Sequence, residues 1–213
     1  MIFDITPLLS PRTGVWPGDT PLHREMMLEI ARGDSVTLST MRATAHLGAH
    51  ADAPSHYGLD APTIELRRLE LYVGLCQVVH APVERGTRVG RDRLPATIEA
   101  PRVLIATGTF PDPNVFNRDF AALEPALVRD LAGEGVVLIG IDTPSVDLID
   151  SREIPSHREF LAADMAILEG LVLRDVPEGL YELIALPLKL EGFDASPVRA
   201  VLRSRDQGLG IGA

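Results

Sequence analysis

The chain carries a single cysteine, Cys76, inside the apolar run Tyr72 to Val79, so an intrachain disulfide is excluded and the thiol reads as a small buried hydrophobe. Positive charge is also scarce. Twenty Lys and Arg against thirty Asp and Glu leave a formal charge of −10 and a pI near 5.0. That balance argues against nucleic-acid or anionic-membrane partners, which need clustered positive charge, and favours small-molecule chemistry. No apolar run approaches the roughly 18 residues of a membrane span, and Met1-Ile-Phe-Asp4 has an acid where a secretory leader is basic, so a cytoplasmic protein is expected. The Gly-x-Ser-x-Gly elbow of serine hydrolases is missing, as are a Gly-x-x-x-x-Gly-Lys phosphate loop, a dinucleotide fingerprint and internal repeats.

What is abundant is apolar surface: 46% of 213 residues are hydrophobic, ample for one sizeable core. One domain, residues 1–203, is expected, followed by a flexible Gly-rich tail over 204–213. The densest chemistry lies in AHLGAHADAPSHYGLD, residues 45–60, which holds three of the six histidines: His46, His50 and His56, with Asp52 among them. All four occupy even positions. In an extended chain they line one wall, whereas a helix would have to accommodate Gly48 and Pro54, the proline alone costing about 3 kcal/mol. A straight strand would hold the alpha carbons of His46 and His50 roughly 13 Å apart, so the backbone has to bend, and Gly48 permits it. Imidazole and carboxylate are ligands for zinc and similar ions, and three of them leave a coordination position open. Spacing alone leaves a second reading: surface histidines, with Asp52 as a turn residue.

Along the rest of the chain, Ile2 to Ile5 reads as an entering strand. Met26 to Ile30 and Val36 to Ala43 form a hairpin turning at Gly33-Asp34 that feeds the motif. The only tryptophan, Trp16, sits in Val15-Trp-Pro-Gly-Asp-Thr-Pro21, an irregular segment. It can cap the edge of the core or offer a face to a ring-bearing substrate. His23 reads as a surface histidine and His80 as a strand end. Phe110 to Phe120 is a proline-broken loop, either over a site or merely on the surface. Glu124-Pro125 opens a helix ending at Gly133 or Gly135, and the strand Val136 to Ile141 follows at once. A helix delivering the chain into an apolar strand is the α/β pattern, with a sheet that is in part parallel. Asp142 then begins Asp-Thr-Pro-Ser-Val-Asp147, a turn or a site wall at a strand end. Further strands are expected over Val103 to Thr107, Tyr181 to Leu190 and Ser196 to Leu202. His157, read as lying before a helix, and Glu169, in the run Met165 to Leu173, fit a cap and a satisfied buried acid, although a carboxylate in so apolar a run needs a partner.

The motif His46-Leu-Gly48-Ala-His50-Ala-Asp52-Ala-Pro54-Ser-His56 resembles the His-x-Gly-Thr-His-x-Asp-x-Pro-x-His signature of the metal-dependent cyclase-like hydrolases. The chain as a whole, from Trp16-Pro-Gly-Asp to Asp194-Ala-Ser-Pro197, is similar to the bacterial kynurenine formamidase branch of that family. Ala49 stands where the family usually has Thr, which removes a hydroxyl but no ligand. The resemblance implies a single α/β domain with a central mixed, barrel-like sheet flanked by helices, in a homodimer. It implies two divalent ions, zinc for preference, one held by His46, His50 and Asp52, the other by His157 and Glu169 with Asp52 as the bridge and with Glu169 in reach of the first as well. His56 is left as the proton-transferring residue, and Trp16 as the ring contact. The implied substrate is N-formyl-L-kynurenine, hydrolysed to L-kynurenine and formate. Alternatives are another aromatic or cyclic amide, such as isatin, or a metal-binding module without catalysis.

Overall fold

The computed structural model describes residues 1–204. The expected tail therefore lies outside the described residues, except for Ser204, which ends a strand. Strand β1 (Ile2–Asp4) is followed by the hairpin strands β2 (His23–Leu28) and β3 (Leu38–Arg42). The motif supplies β4 (His50–Asp52); then come β5 (Val73–His80), the short β6 (Arg88–Val89), β7 (Arg102–Ala106) and the short β8 (Ala122–Leu123). Helix α1 (Pro125–Gly133) leads into β9 (Leu138–Ile141), and helix α2 (Pro155–Ala163) into β10 (Ala166–Glu169). The chain finishes with β11 (Gly179–Ile184), β12 (Ala195–Pro197) and β13 (Val201–Ser204).

Nine of these strands build one sheet in the order β1-β13-β11-β5-β7-β9-β10-β4-β12. The central β5, β7, β9 and β10 run parallel to one another, whereas β1, β4, β11, β12 and β13 pair antiparallel with their neighbours, so the sheet is mixed. Its curvature follows from connectivity. β12 lies at one edge and β13 next to the other, yet only residues 198–200 separate them, so the sheet has to curl toward closure. This is the barrel-like α/β architecture expected, with one correction: the single last strand expected over Ser196 to Leu202 is two strands on opposite sides of the curl.

The central strands read as continuous apolar runs because both faces are buried. Leu104, Leu138, Ala166 and Leu168 point into the curl with Cys76 and Tyr72. Val103, Ile105, Ile139, Ile141 and Ile167 point the other way, against Leu127, Val128 and Leu131 of α1 and Phe160 of α2. The motif obeys the same alternation. Ala49, Ala51 and Ala53 join the inner cluster, which directs the even residues His50 and Asp52 to the helix side.

The extended wall expected over the whole motif is confined to His50–Asp52. Gly48 bends the chain before it, at φ 59, and Pro54–His56 form a 3-10 turn after it. His157 stands in the first turn of α2 rather than ahead of the helix. The hairpin pairs as expected and is exposed along nearly its whole length. Cys76 is buried, His23 is exposed, and the His80 Nε2 contacts the Val176 carbonyl at 2.8 Å, far from the motif in the fold. Among the described residues no helix is long and apolar enough to cross a membrane.

Gly170, one residue beyond β10, packs backbone to backbone against the Gly48 bend. A Cβ at Gly170 would lie 2.2 Å from the Gly48 carbonyl oxygen, and its φ of +65 is one that side chains resist. Gly170→Ala is therefore expected to destabilise the protein by roughly 2–4 kcal/mol in urea unfolding. A loss below about 0.5 kcal/mol would show that the two backbones are free to separate.

Candidate metal centre

Cross-strand register creates the centre. Glu169 ends β10 directly opposite His50 of β4, and Ile167 pairs with Asp52, so His50, Asp52 and Glu169 share the helix-facing side of the sheet. Helix α2 lays His157 over them. Among the described residues two triads of atoms suit an ion: the fully buried His50, Asp52 and Glu169, and the partly exposed His46, Asp52 and His56, with Asp52 common to both. The two triads gather His46, His50, Asp52 and Glu169, with His50 beside Glu169; His157, expected as a ligand, belongs to neither, and His56, expected as the proton-transferring residue, joins His46. His157 Nε2 stands off at 3.6 Å from Asp52 and 3.7 Å from Glu169.

Three imidazoles follow one rule. Each ties one ring nitrogen to an outer oxygen and turns the other to the shared carboxylates. His50 places Nδ1 2.9 Å from the Gly48 carbonyl and Nε2 3.3 Å from both Asp52 and Glu169. His157 places Nδ1 2.9 Å from Asp147. His46 places Nε2 3.0 Å from Asp194 and Nδ1 3.1 Å from Asp52. Outer partners of this kind fix the tautomer and orientation of metal-binding histidines. His50 Nε2 and both Asp52 oxygens nonetheless lack an aligned hydrogen bond, although Asp52 is only 1% exposed. Buried polar atoms left so are costly, and a divalent cation accepting N and O donors satisfies all of them at once. The donor set therefore fits the metal.

Charge tells the same story. Burial alone would lower the His50 pKa, but the carboxylates of Asp52 and Glu169 outweigh it and push it up to about 10. His157 is likewise disfavoured by burial and raised to about 10 by Asp147 and Asp52. Asp52, despite burial that opposes its charge, is held well below the usual carboxylate range by His157, His46 and His50. Without metal, protons on imidazole supply the positive charge that the carboxylates demand.

The segment after β9 positions the rest. Asp147 accepts the backbone N–H groups of Ser156 and His157 at the start of α2 in addition to its His157 ring contact. Arg88 braces Asp147 from behind at 2.9 Å. The Val146 N–H donates to Glu169 Oε1 at 2.8 Å. Asp142 proves to be a wall residue: it accepts the Thr107 N–H and hydroxyl and the Gly108 N–H, pinning the start of the Phe110 to Phe120 loop. Arg67, buried beside Tyr72, caps the other end of α2 through the side chain and carbonyl of Asp164. Sequence reasoning missed Asp147, Arg88 and Arg67, and named Asp194 without a role. The one available signal was Asp147 in the segment already singled out, since partners 10 to 148 residues away leave no local pattern.

Above the centre opens a cavity of about 510 Å³, a size suited to a small organic molecule. Its floor includes His46, His50, His56, His157 and Glu169, and its wall Trp16, Phe110 and Phe116. Trp16 meets Phe116 and Phe120 edge to face, at centroid separations of 5.7 and 6.0 Å. The Phe110 to Phe120 loop thus borders the site. Ile154 lines the cavity from an unusual left-handed conformation, φ 38, that costs a β-branched residue about 1–3 kcal/mol and recurs at functional sites.

Fold and donor set define a metal-dependent hydrolase architecture. Residues 3–148 match the model of the Cyclase family, and the chain belongs to that family. Among solved structures, one described as a potential metal-dependent hydrolase with cyclase activity is 27% identical, with a TM-score of 0.83 over 96% of this chain and 99% of its own. A predicted metal-dependent hydrolase from Bacillus stearothermophilus is 28% identical, with a TM-score of 0.80 over 95% and 97%. Isatin hydrolase A from Labrenzia aggregata, bound to benzyl benzoate, shares the fold at 23% identity, with a TM-score of 0.80 over 95% and 93%.

Two outcomes test the centre. Groups raised above the ordinary histidine value stabilise the fold fully below about pH 6.5 and lose that contribution as pH rises through about 10. The chelated protein should therefore lose several degrees of Tm between pH 7 and pH 10, and the zinc-loaded protein much less. Asp147→Ala should lower zinc affinity about 10- to 100-fold in chelator competition, because His157 loses its orienting partner. Unchanged affinity would remove His157 from the ligand set.

Proposed function

We propose that the protein is a zinc-dependent hydrolase of N-formyl-L-kynurenine, releasing L-kynurenine and formate. The observation that carries the reading is the buried set of unsatisfied donors around Asp52, lying at the floor of a cavity with a tryptophan and phenylalanine wall. His46, His50, Asp52, His157 and Glu169 would hold two divalent ions. Bound there, the ions supply Lewis-acid polarisation of the formyl carbonyl and a water activated near neutral pH.

The chain's own residues do the rest. His56 is partly exposed to the cavity, and its Nδ1 lies 3.3 Å from Asp194. That contact keeps the Nδ1 proton on the acid side and leaves Nε2 free to take a proton from the attacking water and deliver it to the aniline nitrogen. The formyl C–N bond breaks, the water oxygen stays with formate, and the proton completes the amine. Trp16 and Phe116 face the aromatic ring and keep it out of bulk water. The protein acts as a homodimer. Met27, Ile30, Val36, Leu38 and Met41 on and around the β2–β3 hairpin are all more than half exposed, which supports cover by a second copy, since a lone two-stranded hairpin is marginal in water.

Zinc-loaded protein assayed side by side on N-formyl-L-kynurenine and isatin tests the reading, with zinc content measured on the same sample. Turnover of the formyl substrate is expected, with a loss of about 10²- to 10⁴-fold in kcat for His56→Ala at unchanged zinc content. A wild type that never hydrolyses it overturns the formamidase assignment; a His56→Ala variant at the wild-type rate overturns the role of His56 alone.

A further inference from the structure

The cavity wall carries four acidic side chains besides the histidines: Asp19, Asp142, Glu169 and Asp194. Every one of them is occupied within the protein. Asp19 accepts the Thr44 hydroxyl at 3.2 Å, Asp142 the donors of Thr107 and Gly108, Glu169 the Val146 N–H, and Asp194 the rings of His46 and His56. Arg174 is different. Among the described residues it is the one Lys or Arg on the wall, it is exposed, and its guanidinium makes neither a hydrogen bond nor an ion pair with any of them. A lone guanidinium in a cavity otherwise lined by acids, on a chain of net charge −10, is a planar two-pronged receptor for a carboxylate.

Resting on the formamidase reading, we propose that Arg174 recognises the α-carboxylate of an aromatic amino-acid substrate and so sets the specificity of the cavity. The chemistry requires such a residue. A carboxylate is itself a good ligand for divalent ions, and a substrate carrying both a formamide and a carboxylate can enter the centre by either end. A permanent cation elsewhere on the wall biases the carboxylate away from the centre and leaves the formyl group facing it, which is specificity by disfavouring the wrong pose as much as by favouring the right one. The aromatic wall built by Trp16 and Phe116 then spans the ring between the two ends. A neutral cyclic amide such as isatin offers Arg174 no carboxylate, so the residue also separates the two candidate substrate classes.

The test uses the whole zinc-loaded protein and two probes: L-kynurenine, and 2-aminoacetophenone, which keeps the ring and ketone but lacks the amino-acid head. Trp16, the only tryptophan, reports binding of either by fluorescence quenching. Arg174→Gln is expected to weaken L-kynurenine about tenfold and to leave 2-aminoacetophenone unchanged, with Arg174→Lys in between; KM for N-formyl-L-kynurenine should rise in parallel. Equal weakening of both probes, or none of either, overturns the assignment of Arg174 while leaving the formamidase reading to its own turnover assay. A wild type that binds 2-aminoacetophenone more tightly than L-kynurenine overturns it as well. A wild type that binds neither probe and turns over no formyl substrate removes both readings.

Discussion

Two carboxylates in a dry interior set the terms for this protein. Asp52 and Glu169 are 1% and 3% exposed, and neither can carry its charge there without a cation at hand. The sheet brings them together from antiparallel neighbours, and three imidazoles converge on them, each oriented by a different outer oxygen. Within the chain alone, protons on His50 and His157 answer the two carboxylates. Stability and the capacity to hold a cation are thus one problem here, because the candidate ligands are also the buried charges that the fold has to neutralise.

The six residues Asp142 to Asp147 show how the fold solves it. They leave β9 at the strand end where an α/β sheet opens, and three of them make contacts in three directions. Asp142 holds the loop that bears the aromatic wall, Val146 holds Glu169, and Asp147 holds His157 at the head of α2. Wall and floor of the cavity consequently hang from the same short stretch of backbone. The Gly48–Gly170 contact performs the matching service on the other side, fixing how closely the bent motif approaches the end of β10.

Much of this was legible in the chain itself. The even spacing of His46, His50, Asp52 and His56 announced a shared face, and the bend at Gly48 followed from the reach of imidazole. Continuous apolar runs at Val103 and Val136, with a helix between, announced buried strands of an α/β sheet. The odd position of Glu169 in an apolar run announced a paired acid. Each of these rests on period, propensity or burial cost, which neighbouring residues record. The motif's true extent was less legible: period 2 cannot show that Pro54 turns the chain into a 3-10 segment, and the run from Ser196 to Leu202 conceals the break by which it crosses the curl.

The sequence by itself determined the types of the candidate ligands and their order along the chain. Only the tertiary structure decided that Glu169 faces His50 across a strand pair, that Asp147 and Asp194 orient histidines 10 and 148 residues away, and that Arg174 stands on the wall without a partner among the described residues. The physical reason is reach. Side-chain chemistry is written locally, but whether a charge is answered depends on what packing brings within a few ångströms, and sheet register and helix docking alone settle that.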